Sequence, residues 1–214
     1  MQKTYYFFIF CFVAGFSLPV SAQLLDWGRG FGGESQELVN GVASDPAGNV
    51  YAVGNFLSTR LTDPDTSVFD LGSQAGADIF ITKTDEAGNF LWGKSIGGLS
   101  QQHAYAVVAD TSGHIYVTGH YQGNVDFDPD PLRMHVLTTL STGSTSMFLL
   151  KMDTAGNFIW AKDAGVPSSA TFGYASGRAI AIDTDGNILI TGDFASAIDF
   201  DPGPQQTILT AAYG

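Results

Sequence analysis

The sequence has one cysteine, Cys11, in 214 residues, so no disulfide closes within the chain and its stability rests on buried apolar surface. Basic residues are also scarce. Nine Lys and Arg stand against 21 Asp and Glu, a formal net charge of −12. That excess repels nucleic-acid phosphates and anionic lipid heads and argues against either as a partner. No stretch carries an apolar stripe at helical spacing, and no Gly-x-Ser-x-Gly elbow occurs. No two of the four histidines, His103, His114, His120 and His135, stand at metal-binding spacing. These absences exclude a helical bundle, a disulfide-stapled miniprotein and the motif-bearing α/β hydrolases.

The one long apolar run is N-terminal. Lys3 precedes an apolar segment over 5–18, and Val20-Ser21-Ala22 supplies the small residues of a cleavage site before Gln23. At ~14 residues the run is short for a membrane span. Residues 1–22 are therefore predicted to be a signal peptide, which implies a secreted or cell-surface product with no membrane span after its removal. Cys11 leaves with that segment, too early in it to become a lipid-bearing first residue. Residues 23–214 remain, enough for a substantial core.

Those residues are repetitive. Asp, two variable residues, Gly and then Asn or His recur as Asp45-Pro46-Ala47-Gly48-Asn49, Asp85-Glu86-Ala87-Gly88-Asn89, Asp110-Thr111-Ser112-Gly113-His114, Asp153-Thr154-Ala155-Gly156-Asn157 and Asp183-Thr184-Asp185-Gly186-Asn187. The only tryptophans, Trp27, Trp92 and Trp160, lie 65 and 68 residues apart, and each opens the same phrase of Trp, Gly or Ala, then Arg or Lys. Between them Val50-Tyr51-Ala52-Val53-Gly54-Asn55-Phe56 aligns with Ile115-Tyr116-Val117-Thr118-Gly119-His120-Tyr121 and with Ile188-Leu189-Ile190-Thr191-Gly192-Asp193-Phe194. Periodicity on this scale marks stacked supersecondary units.

Each period reads as four strands, because runs rich in β-branched and aromatic residues alternate with Asp, Pro, Gly and Asn clusters. In the first period they are predicted at 41–44, 50–55, 78–84 and 90–95. The Asp-x-x-Gly segments are the turns: Asp bonds its own backbone onward, and Gly48, Gly88, Gly113, Gly156 and Gly186 supply positive φ. Strands apolar on both faces, such as Ile188-Leu189-Ile190 and Phe148-Leu149-Leu150, suit sheets stacked between neighbours. The predicted fold is all-β, a β-propeller-type array with four antiparallel strands per blade of about 65–70 residues. The stretches 57–76, 122–145 and 195–214 join strands two and three and are expected to carry specificity.

Candidate chemistry is sparse. In Val125-Asp126-Phe127-Asp128-Pro129 and Ile198-Asp199-Phe200-Asp201-Pro202 the carboxylates of Asp126, Asp128, Asp199 and Asp201 alternate as calcium ligands do, although calcium wants about six to eight oxygens. The first period, Leu61-Thr62-Asp63-Pro64, keeps only the Asp before Pro, which a turn explains with no ion. Asp183-Thr184-Asp185-Gly186-Asn187 begins like a calcium loop without its later Glu. Gly28-Arg29-Gly30-Phe31-Gly32-Gly33 resembles a phosphate cradle, yet it recurs as the exit from strand four with no helix behind it. No other cofactor is implied, and no catalytic residue is assigned. His114 replaces a turn Asn and His120 replaces Asn55 or Asp193, which reads as surface variation. Departures from the consensus look scattered. The recurrent Phe56, Tyr121 and Phe194, with Phe80 and Phe148, are expected in the core, whereas Tyr105, Phe172 and Tyr174 are irregular, as a sugar-stacking platform would be.

Ala179-Ile180-Ala181-Ile182-Asp183 with its Gly186-Asn187 turn, Ile190-Thr191-Gly192-Asp193-Phe194, Ile198-Asp199-Phe200-Asp201-Pro202-Gly203 and Asp78-Ile79-Phe80-Ile81-Thr82-Lys83 running to Trp92 resemble the bacterial β-propeller repeats called SBBP repeats. Such repeats are common in exported proteins of Bacteroidetes-like bacteria, and the resemblance covers essentially all of the chain after the signal segment. It implies a propeller scaffold and no shared catalytic motif. About two and a half blades do not close a ring that needs at least four or so. The expectation is an N-terminal part of a longer protein, whose relatives often end in a sorting domain for type IX secretion. The expected role is a non-catalytic exported scaffold for binding or adhesion, with extracellular carbohydrate or protein as partner. The alternative is a fragment of a propeller hydrolase or lyase acting on extracellular polysaccharide.

Overall fold

A computed structural model describes residues 9–10, 25–57, 60–62, 70–72, 76–141, 143–167 and 171–212. The predicted cleavage site at 20–22 and the Asp63-Pro64 turn lie outside them, as does most of the apolar segment. Every regular element among the described residues is a strand. β1 (Ile9–Phe10) and β2 (Gly28–Arg29) form a short ladder. The first blade is β3 (Glu37–Ser44), β4 (Val50–Phe56), β7 (Asp78–Thr84) and β8 (Phe90–Ile96), hydrogen-bonded in that order and antiparallel throughout. The second is β9 (Gln102–Ala109), β10 (Ile115–Tyr121), β13 (Ser146–Met152) and β14 (Phe158–Ala164). A third begins with β15 (Tyr174–Ile182) and β16 (Ile188–Ala195). Between strands two and three sit two-stranded ribbons: β5 (Arg60–Thr62) with β6 (Asp70–Gly72), β11 (Asn124–Asp126) with β12 (Val136–Thr138), and, after β16, β17 (Ala197–Asp199) with β18 (Ile208–Thr210). The array is all-β and propeller-like, with no closed ring among the described residues.

The turns are built by carboxylates. In all five, one Asp oxygen accepts the backbone N–H groups two and four residues on, as Asp45 does from Ala47 and Asn49, both at 3.0 Å. Its other oxygen accepts the Asn amide, 2.8 Å for Asn49 and 2.9 Å for Asn89 and Asn157. His114 Nδ1 takes the same place 3.1 Å from Asp110. The fourth residue has φ near +80° in every copy, 82° at Gly48 and 79° at Gly156, a conformation glycine adopts without strain.

Strand one is longer than its sequence pattern suggests. It starts at Glu37 rather than 41 because a bulge interrupts the alternation, leaving Asn40, Tyr105 and Arg178 unmatched in the three ladders. Opposite each bulge lies a glycine, Gly54, Gly119 or Gly192. A Cβ there would run into the carbonyl oxygen of Leu38, His103 or Ser176. This explains why Gly holds the fifth position of the repeated Val-Tyr-Ala-Val-Gly phrase. The recurrent aromatics are core: Phe56, Tyr121, Phe80 and Phe148 are fully buried, and Phe194 is half-buried. Phe127 stands edge-on to Tyr121 at 5.5 Å, and Phe200 repeats this on Phe194 at 5.3 Å. The apolar members of the Val-Asp-Phe-Asp-Pro phrase thus plug the ribbon onto its blade.

Tryptophan locks neighbouring units. Trp27 donates its indole N–H to Glu86 O at 2.9 Å, and Trp92 donates to Thr154 O at 3.2 Å, in each case the carbonyl after the Asp of the next unit's last turn. The ring lies against that turn's glycine, where a Cβ on Gly156 would come 3.1 Å from Trp92. Lys83 Nζ adds a 3.0 Å bond to Thr154 O and lies over the Tyr51 ring. The Tyr51 hydroxyl, raised in pKa by burial and by Asp45, donates to Asp45 at 3.0 Å.

Two outcomes follow from these contacts. Gly119→Ala is expected to destabilise by about 2 kcal/mol or more in urea unfolding, because the new Cβ runs into the backbone of His103 and Ala104 in the paired strand, whereas Gly72→Ala, with open space around it, stays near neutral. The turn carboxyls also set the acid limit. All five are held below the usual value. In Asp85 and Asp183 the Asn side chain is the main cause. In Asp45, Asp110 and Asp153 burial is the largest single effect and pushes upward, but the hydrogen bonds each carboxylate accepts together outweigh it. A depressed folded pKa contributes stability that is intact above the unfolded value and lost as pH falls through the folded one. Urea midpoints are expected to hold above about pH 5 and drop below about pH 4. An Asp45→Asn, Asp85→Asn double variant should flatten that drop, and an unchanged slope would refute the assignment.

Candidate functional site

The bulges do more than bend strand one. They bring the three variable columns of the repeat onto one inner edge: Leu38, His103 and Ser176; Asn40, Tyr105 and Arg178; Asn55, His120 and Asp193. In the first blade the outcome is structural, since Asn40 Nδ2 donates to Asn55 Oδ1 and to Ala104 O, both at 2.8 Å. Between the second and third blades it is a cluster of rings and charges.

Arg178 is the centre of that cluster. Its Nε lies 2.6 Å from Asp193 Oδ1, its Nη2 donates to the Tyr174 hydroxyl at 2.8 Å, and its guanidinium carbon stands 4.4 Å from the Tyr105 ring centre. His103 lies parallel to Tyr105 at 6.0 Å and tilted 4.9 Å from His120. His120 is 5.5 Å from Tyr105 and 6.0 Å from Tyr174, and its Nδ1 is 3.3 Å from Ser176 Oγ. Tyr174, the first residue of β15, is placed there by a bridge to Thr145 and by the Ala175 N–H bond to Thr145 O.

The charges are settled by these neighbours. The bond to Asp193 raises the Arg178 pKa, and the same bond holds Asp193 below the carboxylate range. Burial pushes His120 down to about 4, helped by His103 and Arg178, and it lowers His103 as well. Burial likewise raises Tyr105. At neutral pH the site is a set of uncharged rings around one internally paired cation. Its polar atoms and aromatic faces suit planar or polyhydroxylated groups. The Ser176 and His120 pair has the separation of a nucleophile and its base, but Ser176 is buried, so its oxygen does not face an incoming substrate.

Several expectations change here. His120 is not plain surface variation: it is half-buried among His103, Tyr105 and Tyr174. The departures from consensus are gathered rather than scattered. Tyr105 and Tyr174 join, while Phe172 stays exposed outside the cluster. Arg178 and Asp193 carry no motif that marks them in the sequence. The signal that locates them is the column-by-column alignment of the periods around the glycine, which for Arg178 requires strand one to extend back past the position equivalent to 41.

The four candidate calcium ligands lie elsewhere and apart. Asp126 Oδ1 accepts from the N–H of Asp128 (3.1 Å) and His135 (2.8 Å), and Asp199 Oδ1 accepts from Asp201 (3.1 Å) and Thr207 (2.8 Å). Asp128 and Asp201 bond onward to Asp130 and Gly203. These oxygens shape the two ribbon loops. Asp199 and Asp201 also line a cavity of about 170 Å³ with Asp163 and Gln206, where Asp163 accepts a 2.7 Å bond from Tyr121. Among the described residues no three His, Cys, Asp or Glu side chains form a metal-sized group. The phosphate-like glycine run places Arg29 Nε 2.8 Å from Gly88 O, part of the packing onto the next blade.

The chain matches no family model. It is 30% identical over 137 residues to an uncharacterized WD repeat-containing protein of Acanthamoeba polyphaga mimivirus, a stretch covering 58% of this chain and 9% of that protein. The likeness agrees with the propeller-type repeat, although none of the three tryptophans here is followed by Asp. Among the described residues no helix is long and apolar enough to cross a membrane.

Arg178→Met is expected to raise the pKa of His120 and His103, since a neighbouring cation is withdrawn. Histidine ring resonances followed by NMR against pH test this, and unchanged midpoints would remove Arg178 from the site's electrostatics.

Proposed function

We propose that this chain is an exported, non-catalytic β-propeller repeat scaffold of the SBBP kind that binds an extracellular or cell-surface ligand, carbohydrate or protein, on the inner-edge platform. The observation that carries the reading is the convergence of the variable columns: positions that differ from blade to blade within a constant framework meet at Tyr105, His103, His120 and Arg178, with Tyr174 beside them. A framework that only needed to fold has no use for such divergence in one place. Aromatic faces and a guanidinium already oriented by Asp193 bind with little ordering cost. Export rests on the signal-like segment 1–22, and the SBBP assignment on the repeated phrases. The ribbons β11–β12 and β17–β18 stand after strand two of their blades and would vary the rim around the platform.

A second reading, part of a propeller hydrolase or lyase acting on extracellular polysaccharide, draws on the 3.3 Å approach of His120 to Ser176 and on Asp193 beside it. It requires Ser176 to be uncovered.

A glycan array and a protein-partner screen with the full-length product test the binding reading. A specific hit is expected, weakened about tenfold or more by Tyr105→Ala and by Arg178→Ala with the fold retained by circular dichroism. Absence of any specific hit, or equal binding by both variants, would refute it. Turnover of a polysaccharide abolished by His120→Ala would favour the enzyme.

A further inference from the structure

In the antiparallel ladder of β9 and β10, His103 stands directly opposite His120. The matching cross-strand pairs are Leu38 with Asn55 in the first blade and Ser176 with Asp193 in the third, so of the three ladders only the second sets two imidazoles side by side. Their ring centres lie 4.9 Å apart, with the planes tilted by 47°. Two imidazole nitrogens bound to one cation at about 2.0–2.1 Å, at square or tetrahedral angles, place their ring centres ~4.5–5.2 Å apart. The pair therefore already has the separation of two ligands of one ion.

The surroundings prepare both rings for that use. His120 Nδ1 is 3.3 Å from Ser176 Oγ, the hydroxyl of a buried residue. With Nδ1–H donating to that oxygen, the lone pair of His120 Nε2 is left for a ligand, which is how an outer hydrogen bond orients a metal-bound histidine. Among the described residues no hydrogen bond occupies a ring nitrogen of His103, and its ring is braced parallel to Tyr105. Both rings are half-buried, open enough for an ion to arrive. Burial keeps His120 neutral at pH 7 and favours the neutral form of His103, so binding displaces little proton. Arg178 and Asp193 are the charged groups that face the pair, and their 2.6 Å contact pairs one with the other. Tyr105 and Tyr174 are the remaining titratable neighbours.

We infer that His103 and His120 form a two-imidazole site for a first-row transition dication of the zinc and copper class, held through His120 Nε2 and a nitrogen of His103. Imidazole suits these ions, whereas calcium and magnesium take oxygen ligands, and the nearest carboxylate, Asp193, is committed to Arg178. Two protein nitrogens leave the ion's other positions to water or to the oxygens of a bound molecule. Ser176 then has a positioning role: its hydroxyl fixes the tautomer and tilt of His120. The inference stands on the histidine pair and does not depend on glycan or protein binding at the platform.

The probe is zinc chloride alone, titrated into the full chain at neutral pH in a buffer that does not chelate it and followed by calorimetry and by NMR of the histidine rings. Saturable binding that shifts the His103 and His120 resonances together, with those of His114 and His135 unmoved, is expected, and this readout needs no variant. His103→Gln and His120→Gln should each abolish it with the fold retained by circular dichroism. Ser176→Ala, which leaves both ligands in place, should weaken it about tenfold, and His114→Gln should bind as the parent chain does. No saturable binding at millimolar zinc, binding that survives both glutamine variants, or shifts confined to His114 or His135 would each overturn the inference.

Discussion

A single aspartate oxygen that accepts two backbone N–H groups decides where the main hairpins of each blade reverse, from strand one to strand two and from strand three to strand four. Five turns use it, and the rest of the architecture hangs from their geometry. The reversal puts a glycine at positive φ in the fourth position. In the turns at 85–89 and 153–157 that glycine, lacking a Cβ, leaves a flat floor on which the tryptophan of the preceding unit lies, and the turn's second carbonyl faces the indole N–H. A local device for satisfying backbone donors is thereby also the interface between blades. The carboxylates are held ionised by the same bonds, which couples inter-blade packing to the charge of residues that sit near the surface.

A second constraint acts on the inner edge. The bulge in strand one needs a glycine partner in strand two, and that requirement repeats in all three units. The bulged residue escapes the ladder, so its identity is free of pairing demands. Asn40, Tyr105 and Arg178 show how that freedom is used: the first is spent on a hydrogen bond between blades, and the other two stack to make a platform with His103, His120 and Tyr174. Stability and variability are thus assigned to adjacent positions. Burial that keeps the histidines neutral also removes the competing charge that would repel Arg178.

The repeat, the turn chemistry and the buried aromatics were legible in the chain, because each is a local signal copied several times. Asp45 to Asn49 contains its own hydrogen-bond donors and acceptors, and Trp27, Trp92 and Trp160 mark the phase unaided. The ribbons were not legible, since three-residue strands inside polar loops carry no pattern that separates them from turn sequence. The bulge was hidden for a related reason: it breaks the alternation by which strand one would be recognised, so Leu38 and Asn40 fell outside the predicted strand. His120 looked like a surface replacement because a single column shows only that it differs from Asn55 and Asp193.

Sequence alone determined the all-β class, the four-stranded unit, the turn residues and the aromatics of the core, for these depend on bonds between residues a few positions apart and on periodic burial. Tertiary structure decided which variable residues share a surface. His103, Tyr105, His120, Tyr174, Arg178 and Asp193 lie on four strands of two blades, and only the stacking of those blades brings them within contact distance. Proximity of that kind is a property of packing, and no spacing along the chain encodes it.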